Sequence, residues 1–542
     1  MSVTAPTSAP GTAQSVVRRI VVFAILFALV IVAATGVSGL IERVIGAGRV
    51  LTADDSGLAL SLAFALIGAP LAGVLWWWER RRLASDPAER ASLVWSLYLL
   101  AMTLLTLIVA VTSLAVALGA AIDGEFLPAE LSTAIVFVGV WVWHRHMRRS
   151  AVTAPTRLAH APVELSALFG LVVAASAAID AIAQPISQAL AGGSFVTTAS
   201  QYWVISTLQA LIWCAIGVLV WWWHWFRERA KDAPGALAAV LLVIVVGAAA
   251  ATTLFAIGTA LFVVLRLLFD TDPFAQTVAS LDVAIAAGLI GGIVWVYHAR
   301  ILAARSVRAR RSGRLVISAI ALIGAASGFG VIVNALLASV GGTLVQDDPR
   351  TLLLGGVSAL VVGAPVWWMA WRPAREVTAD EAADPSRRVY LVVVFGASAI
   401  VAIVTLLIIG YRLFEFGLDG GGAGGLIERV RAPFGLLSAT AIVFGYHFAI
   451  WRRDRAVAGT VVRRQAIGRV FLVASGDTGE LASVLHDETG AAITVWRAAD
   501  DSATLGTQDL PALLAALDGV SAPRVLVIAE AGGGVRTVVL AD

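Results

Sequence analysis

Charge is what this chain has least of. Only 14% of its 542 residues are Asp, Glu, Lys or Arg, while 59% are hydrophobic and the mean hydropathy is +0.87. A water-soluble globule needs a solvated, charged surface, so that class is excluded and most of the chain must face lipid. Cysteine is nearly absent as well. The single Cys214 lies inside an apolar run, which excludes disulfides and thiolate metal sites within one chain and reads as a small core residue rather than a reactive thiol. Catalytic constellations are missing too. No G-x-S-x-G, H-E-x-x-H, C-x-x-C or G-x-x-x-x-G-K stands in a suitable context, and His486-Asp487-Glu488 reads as a solvated helix face with no nucleophile beside it. The expectation is a protein that is not an enzyme and holds neither metal nor cofactor.

What the chain does have is repetition. A hydrophobic stretch ending in tryptophans appears as Trp76-Trp77-Trp78, Trp221-Trp222-Trp223-His224-Trp225 and Trp367-Trp368-Met369-Ala370-Trp371. A second stretch follows each, ending in Trp141-Val142-Trp143-His144, Trp295-Val296-Tyr297-His298 and Phe444-Gly445-Tyr446-His447. A period of roughly 150 residues with about four apolar segments per unit is the signature of one supersecondary unit copied in tandem.

Segments of ~18 or more apolar residues cross the hydrocarbon layer as helices, because every backbone N–H and C=O must be satisfied within the segment. Such segments run near 20–41, 57–78, 92–121 and 131–144; 163–190, 203–224, 235–268 and 281–299; 315–340, 352–371, 388–414 and 432–451. The span near 131–144 is short and is counted by repeat logic. The first span resembles the apolar region of a signal peptide, but Ala33-Ala34-Thr35 aligns with Ala174-Ala175-Ser176 and Ala325-Ala326-Ser327, so it is expected to be retained. The fold class is thus an all-α polytopic membrane protein of about twelve transmembrane helices in three four-helix repeats, at 18–150, 157–304 and 313–455, after a disordered cytoplasmic tail at 1–17.

Arginine marks every second connection: Arg80 to Arg82, Arg145 to Arg149, Arg227 and Arg229, Arg305 to Arg311, Arg372 to Arg388, and Arg452 to Arg455. By the positive-inside rule these loops and both termini are cytoplasmic. The net charge of +3 and pI of about 9.3 express this topology rather than a polyanion-binding patch, so nucleic acid is not an expected partner. The tryptophans and histidines then fall at the inner interface.

From about 459 the hydropathy drops and soluble periodicities appear. Strands are expected at Val470 to Ala474, Ala492 to Arg497, Arg524 to Ala529 and Val535 to Leu540, with helices near Gly479 to Asp487 and Asp509 to Leu517. This is a small cytoplasmic α/β (β-α-β-α-β-β) domain over 459–542, with Ser475-Gly476-Asp477-Thr478 placed to cap its first helix.

Gly68-Ala69-Pro70 and Gly363-Ala364-Pro365 ahead of tryptophans, Ser386-Arg387-Arg388-Val389-Tyr390-Leu391 at the start of a long helix, and Phe444-Gly445-Tyr446-His447 at the end of another carry a family likeness. The chain resembles tandem copies of a bacterial four-transmembrane-helix domain of unknown function, the domain of unknown function 5671 type. The third copy fits best, and the second has Trp222-Trp223-His224-Trp225 where the others have proline turns. The resemblance implies a multi-pass protein of the bacterial plasma (inner) membrane and carries no catalytic role.

His144, His298 and His447 invite a metal or haem reading, but each stands one step from an arginine-rich loop. They read as interfacial anchors, together with Trp76, Trp77, Trp143, Trp222 and Trp367. Ionisable residues at membrane depth are the better functional lead. Counting ~1.5 Å per residue from the inner edge brings Asp180 and Arg266 to similar depth, which predicts an Asp180–Arg266 pair, echoed by Asn334 and Arg412. Two functions follow: a non-enzymatic scaffold or sensor that presents the small domain to a cytoplasmic protein, or a transporter, channel or lipid-binding protein in which Pro70 and Pro365 break helices around a site.

Overall fold

The computed structural model describes residues 11–47, 55–191, 199–340, 349–374, 382, 384–418, 425–460, 467–476, 478–498, 503–530 and 534–540. Two compact units result, Met1–Glu376 with Pro385–Phe448, and Val377–Asp384 with Ala449–Asp542.

The first unit is built of long helices. In chain order they are α1 (Gly11–Ile45), α2 (Asp55–Ser85), α3 (Leu93–Ile122), α4 (Pro128–Arg149), α5 (Ala161–Leu190), α6 (Ala199–Trp222), α7 (Ala236–Phe269), α8 (Leu281–Arg305), α9 (Val307–Val340), α10 (Pro349–Trp371), α11 (Pro385–Leu418) and α12 (Leu426–Thr460). Eleven are long and apolar enough to cross a membrane; α4 is helical over 22 residues but is not among them. α1 begins at Gly11, so residues 11–17 are helix rather than disordered tail; the preceding ten lie outside the described residues. The prolines do not break the spans. Pro70 follows a π-helical turn at Phe64–Gly68, which absorbs the extra residue and lets the helix run on, and Pro365 sits within continuous α10.

Glycine sets how the first two helices of each repeat meet. A Cβ on Gly217 of α6 would lie 2.5 Å from the backbone nitrogen of Ala174 on α5, and one on Gly363 of α10 would lie 2.6 Å from that of Ala325 on α9. Gly68 of α2 approaches Ala33 of α1 in the same way, at 3.3 Å. The three partners are the alanines that align the repeats in sequence. Only small residues let two backbones come this close, and without a hydrophobic drive between helices in lipid such packing is what joins them. In the first quartet α1 packs against α2, α3 and α4; in the second α8 packs against α5 and α7.

In the second unit β1 (Arg469–Ala474) lies between β2 (Ala492–Arg497) and β3 (Arg524–Glu530), parallel to both, and β4 (Gly534–Leu540) pairs antiparallel with β3. Helices α13 (Gly479–Thr489) and α14 (Leu510–Leu517) pack Leu481, Leu485, Leu513 and Leu517 on Val470, Leu472, Val525 and Val527. Side chains alternate along a strand, so the opposite sheet face carries Phe471, Val473, Trp496, Leu526, Ile528 and Val538, all partly or fully exposed. The predicted order of elements is recovered, with strand ends shifted by at most one residue.

Candidate functional site

The two aromatic signatures, about seventy residues apart in sequence, meet in space in every repeat. Trp76 packs edge-on to Trp143 at 5.6 Å, Trp221 to Tyr297 at 6.0 Å, and Trp367 to Tyr446 at 5.8 Å. One turn further along, Trp225 and Trp371 each donate their indole N–H to the tyrosine hydroxyl, Tyr297 and Tyr446, at 2.9 Å. In the first repeat Arg80 stands at that position, and Trp95 of α3 stacks on Trp76 instead, donating to the carbonyl of Thr153. The second and fourth helices are thereby locked at their tryptophan ends.

The histidines are sealed inside these clusters. His144, His298 and His447 are 0%, 2% and 0% exposed, which corrects their reading as anchors with a wetted edge. Their neighbours are the cause: His298 lies against Trp225 at 5.4 Å and Tyr297 at 4.9 Å, and His447 against Trp371 at 5.6 Å and Tyr446 at 5.1 Å. Each Nδ1 is 2.8 or 2.9 Å from the carbonyl four residues back, of Val140, Val294 and Val443. A carbonyl only accepts, so Nδ1 carries the proton, and in the neutral ring Nε2 is left as an acceptor. In the first repeat the Tyr98 hydroxyl meets that nitrogen at 3.2 Å. Nε2 of His298 and His447 has no hydrogen-bond partner among the described residues.

In the second repeat α7 contains no tyrosine. Leu241, Leu242 and Val245 stand beside His298, and a cavity of about 30 Å³ opens there, also lined by Trp221, Trp225, Glu164 and Arg305. That volume suits one or two waters, and the cavity supplies polar groups to hold them: His298 Nε2, a Glu164 oxygen and the Trp221 indole N–H are all buried and have no hydrogen-bond partner among the described residues. A second cavity, about 860 Å³, is lined by α7, α8, α9 and α10 with Phe255, Phe262, Ile320, Ala321, Val362 and other small or apolar residues and no charged side chain. Its chemistry suits an apolar molecule.

The tryptophans divide by direction. Trp76, Trp143 and Trp367 pack inward, whereas Trp77 and Trp222 are exposed, with the guanidinium groups of Arg81 and Arg227 over their rings at 3.7 and 5.3 Å. These outer two have the position of membrane-belt residues.

The predicted intramembrane pair does not form. Arg266 pairs with Asp270 at 3.1 Å, just past the end of its own helix, and with Asp272, while Asp180 is exposed and has no ion pair among the described residues. Helical rise fixes depth but not direction around the axis, and Asp270 at i+4 is the nearer partner. The Arg266 hydrogen bond holds the Asp270 carboxyl below its ordinary value. The echo fails likewise: Asn334 accepts from Arg431 of α12 at 3.0 Å, and Arg412 pairs with Glu415 at 3.0 Å. The expected cap is seen only in part. Thr478, at the start of α13, forms no side-chain cap, and the Ser475 amide bonds the carbonyl of Ala503 at 2.8 Å, extending β1 rather than capping the helix; Asp477 lies outside the described residues.

Two arginine clusters escaped the sequence reading. Glu89 accepts from Arg19 at 2.7 Å, Arg18 at 2.9 Å and Arg82 at 3.3 Å. Glu228, just past α6, accepts from Arg145 at 2.5 Å, Arg149 at 2.9 Å and Arg148 at 3.3 Å, all from α4 of the preceding repeat. Burial pushes the Glu228 carboxyl up, but the Arg145 hydrogen bond and the Arg148 charge outweigh it and hold it below the ordinary value. The hint was one acidic residue amid arginines on adjoining loops, yet only packing shows which loops adjoin.

A family model described as Domain of unknown function (DUF5671) matches three times, over residues 40–132, 160–289 and 313–446, one match on each helix quartet. No curated protein and no solved structure matches the chain.

Proposed function

We propose, from the premise that the chain belongs to the DUF5671 family, that it is a non-enzymatic membrane scaffold or sensor whose helical unit holds the C-terminal α/β domain at the cytoplasmic side of the bacterial plasma membrane. The observation that carries this reading is the one-sided sheet. Among the described residues helices cover one face only, and the other presents Phe471, Val473, Leu526, Ile528 and Val538 with Trp496, 53% exposed, among them. A contiguous apolar face on a soluble domain marks an interaction surface, and its aromatic residues are of the kind that anchor protein interfaces. The arginine-rich loops support placing the domain in the cytoplasm. The sealed histidine clusters and paired arginines support a structural role for the polar groups of the helical unit.

The partner on this reading is a cytoplasmic protein. A photo-crosslinking residue placed at Trp496 in the full chain should yield a discrete protein adduct in cells, lost when Leu526→Asp is added and absent when the crosslinker sits at Glu488 on α13. Adducts of equal yield from both positions would sink the proposal.

A further inference from the structure

The cluster around Glu228 holds more cation than it uses. Three guanidinium groups meet one carboxylate, and the remaining neighbour, His224, is a buried ring whose Nδ1 bonds the Val220 carbonyl at 2.8 Å and whose Nε2 lies 4.0 Å from Glu228. The hydrogen-bond inventory is lopsided in the same sense. Nε–H of Arg148, whose side chain is 5% exposed, and the indole N–H groups of Trp141 and Trp223 are buried donors with no acceptor among the described residues. Arg145 lies over both of those rings, at 5.9 and 5.1 Å, so the unfilled donors and the surplus charge share one place. By comparison, the Glu89 cluster has a second carboxylate beside it, Glu79, 3.9 Å from Arg82.

The outer side of this cluster has a pattern of its own. Val138, Val142, Arg145 and Arg149 recur at intervals of four, three and four on α4 and so share one stripe of the helix. The two valines are exposed and Arg149 is 53% exposed. An apolar stripe that ends in two arginines matches the two parts of a phospholipid, chain and headgroup. Basic pockets between helices at the inner leaflet recognise anionic headgroups, and Arg binds phosphate through paired N–H donors.

We propose that Arg145, Arg148 and Arg149 form a site for the phosphate group of an anionic phospholipid at the junction of the first and second repeats, with Glu228 holding the three guanidiniums in place. The full chain in neutral detergent is titrated with phosphatidylglycerol, with phosphatidylcholine of the same chains, and with inorganic phosphate, and binding is read by native mass spectrometry. Phosphatidylglycerol should bind saturably. In Arg145→Gln/Arg149→Gln its affinity should fall about 10-fold or more, the scale of one or two hydrogen bonds to a charged group, with phosphatidylcholine unchanged. Arg149→Gln alone, at an exposed side chain, guards against misfolding of the double variant and should show a smaller loss. Arg229→Gln, at an exposed arginine paired with Asp232, should change nothing. Displacement of the lipid by an equal concentration of inorganic phosphate would reassign the site to the free anion. Equal binding of the two lipids, or an equal loss in Arg229→Gln, would overturn the proposal.

Discussion

Replacing Gly217 by alanine probes the seam between the first two helices of the second repeat. The new methyl would lie 2.5 Å from the nitrogen of Ala174, 2.8 Å from its Cα and 3.0 Å from the carbonyl carbon of Val173. None of these is the end of a flexible side chain. The helices must therefore part by roughly 1 Å to restore ordinary contact. Overpacking of this kind costs about 1–3 kcal/mol, and rigid backbone partners set it at the upper end, while alanine returns about 1 kcal/mol in helix propensity. The net loss is about 2 kcal/mol. At the equivalent Gly68 the nearest atoms are Val32 Cγ1 at 3.2 Å and Ala33 N at 3.3 Å, so the two effects nearly cancel; Gly363, with Ala325 N at 2.6 Å and Ala321 O at 2.8 Å, falls with Gly217. Thermal unfolding of the full chain in detergent, followed by tryptophan fluorescence, should therefore rank Gly68→Ala close to the natural protein and the other two well below it. A Gly217→Ala protein as stable as the natural one, or Gly68→Ala as the worst of the three, would refute the argument.

Two further outcomes follow from the polar clusters. Because the folded pKa of Glu228 lies below its unfolded value, its contribution is fully present above the ordinary glutamate value of about 4.3 and is lost as pH falls through the folded pKa. Glu228→Gln, which leaves three arginines without their counter-charge, should cost about 3–5 kcal/mol at pH 7, and the difference in unfolding midpoint from the natural protein should shrink on acidification below about pH 4; a gap that widens there contradicts the assignment. Tyr98→Phe leaves the buried His144 Nε2 without its donor and should destabilise the chain by about 1–3 kcal/mol, measured by the same thermal assay, and an unchanged midpoint would show that the 3.2 Å contact contributes nothing.

Much of the architecture was readable in advance because it rests on one-dimensional signals. Apolar length sets the spans, and the period-two alternation from Arg469 to Ala474 and Arg524 to Glu530 sets the strands. The Ala33, Ala174 and Ala325 alignment even marked the seam, although not that Gly68, Gly217 and Gly363 would press against it. Lateral facts were not readable. Asp180 and Arg266 were matched by helical rise alone, yet Arg266 pairs with Asp270 and Asp272 instead, and the place of His144 near the end of its helix says nothing of the rings that close around it. Glu228 and Arg145 are 83 residues apart, and only the packing of one repeat on the next brings them to 2.5 Å.

The alanine–glycine seam joins helices that are neighbours in the chain, whereas the aromatic lock waits for the fourth helix of each unit. A ribosome delivering this protein to the membrane would release α1 and α2, then α5 and α6, then α9 and α10, each pair finding its partner as soon as it leaves the translocon. Biogenesis would thus advance as three early hairpins followed by three late closures. A chain halted after α7 would carry its second hairpin complete and that quartet's aromatic latch still open.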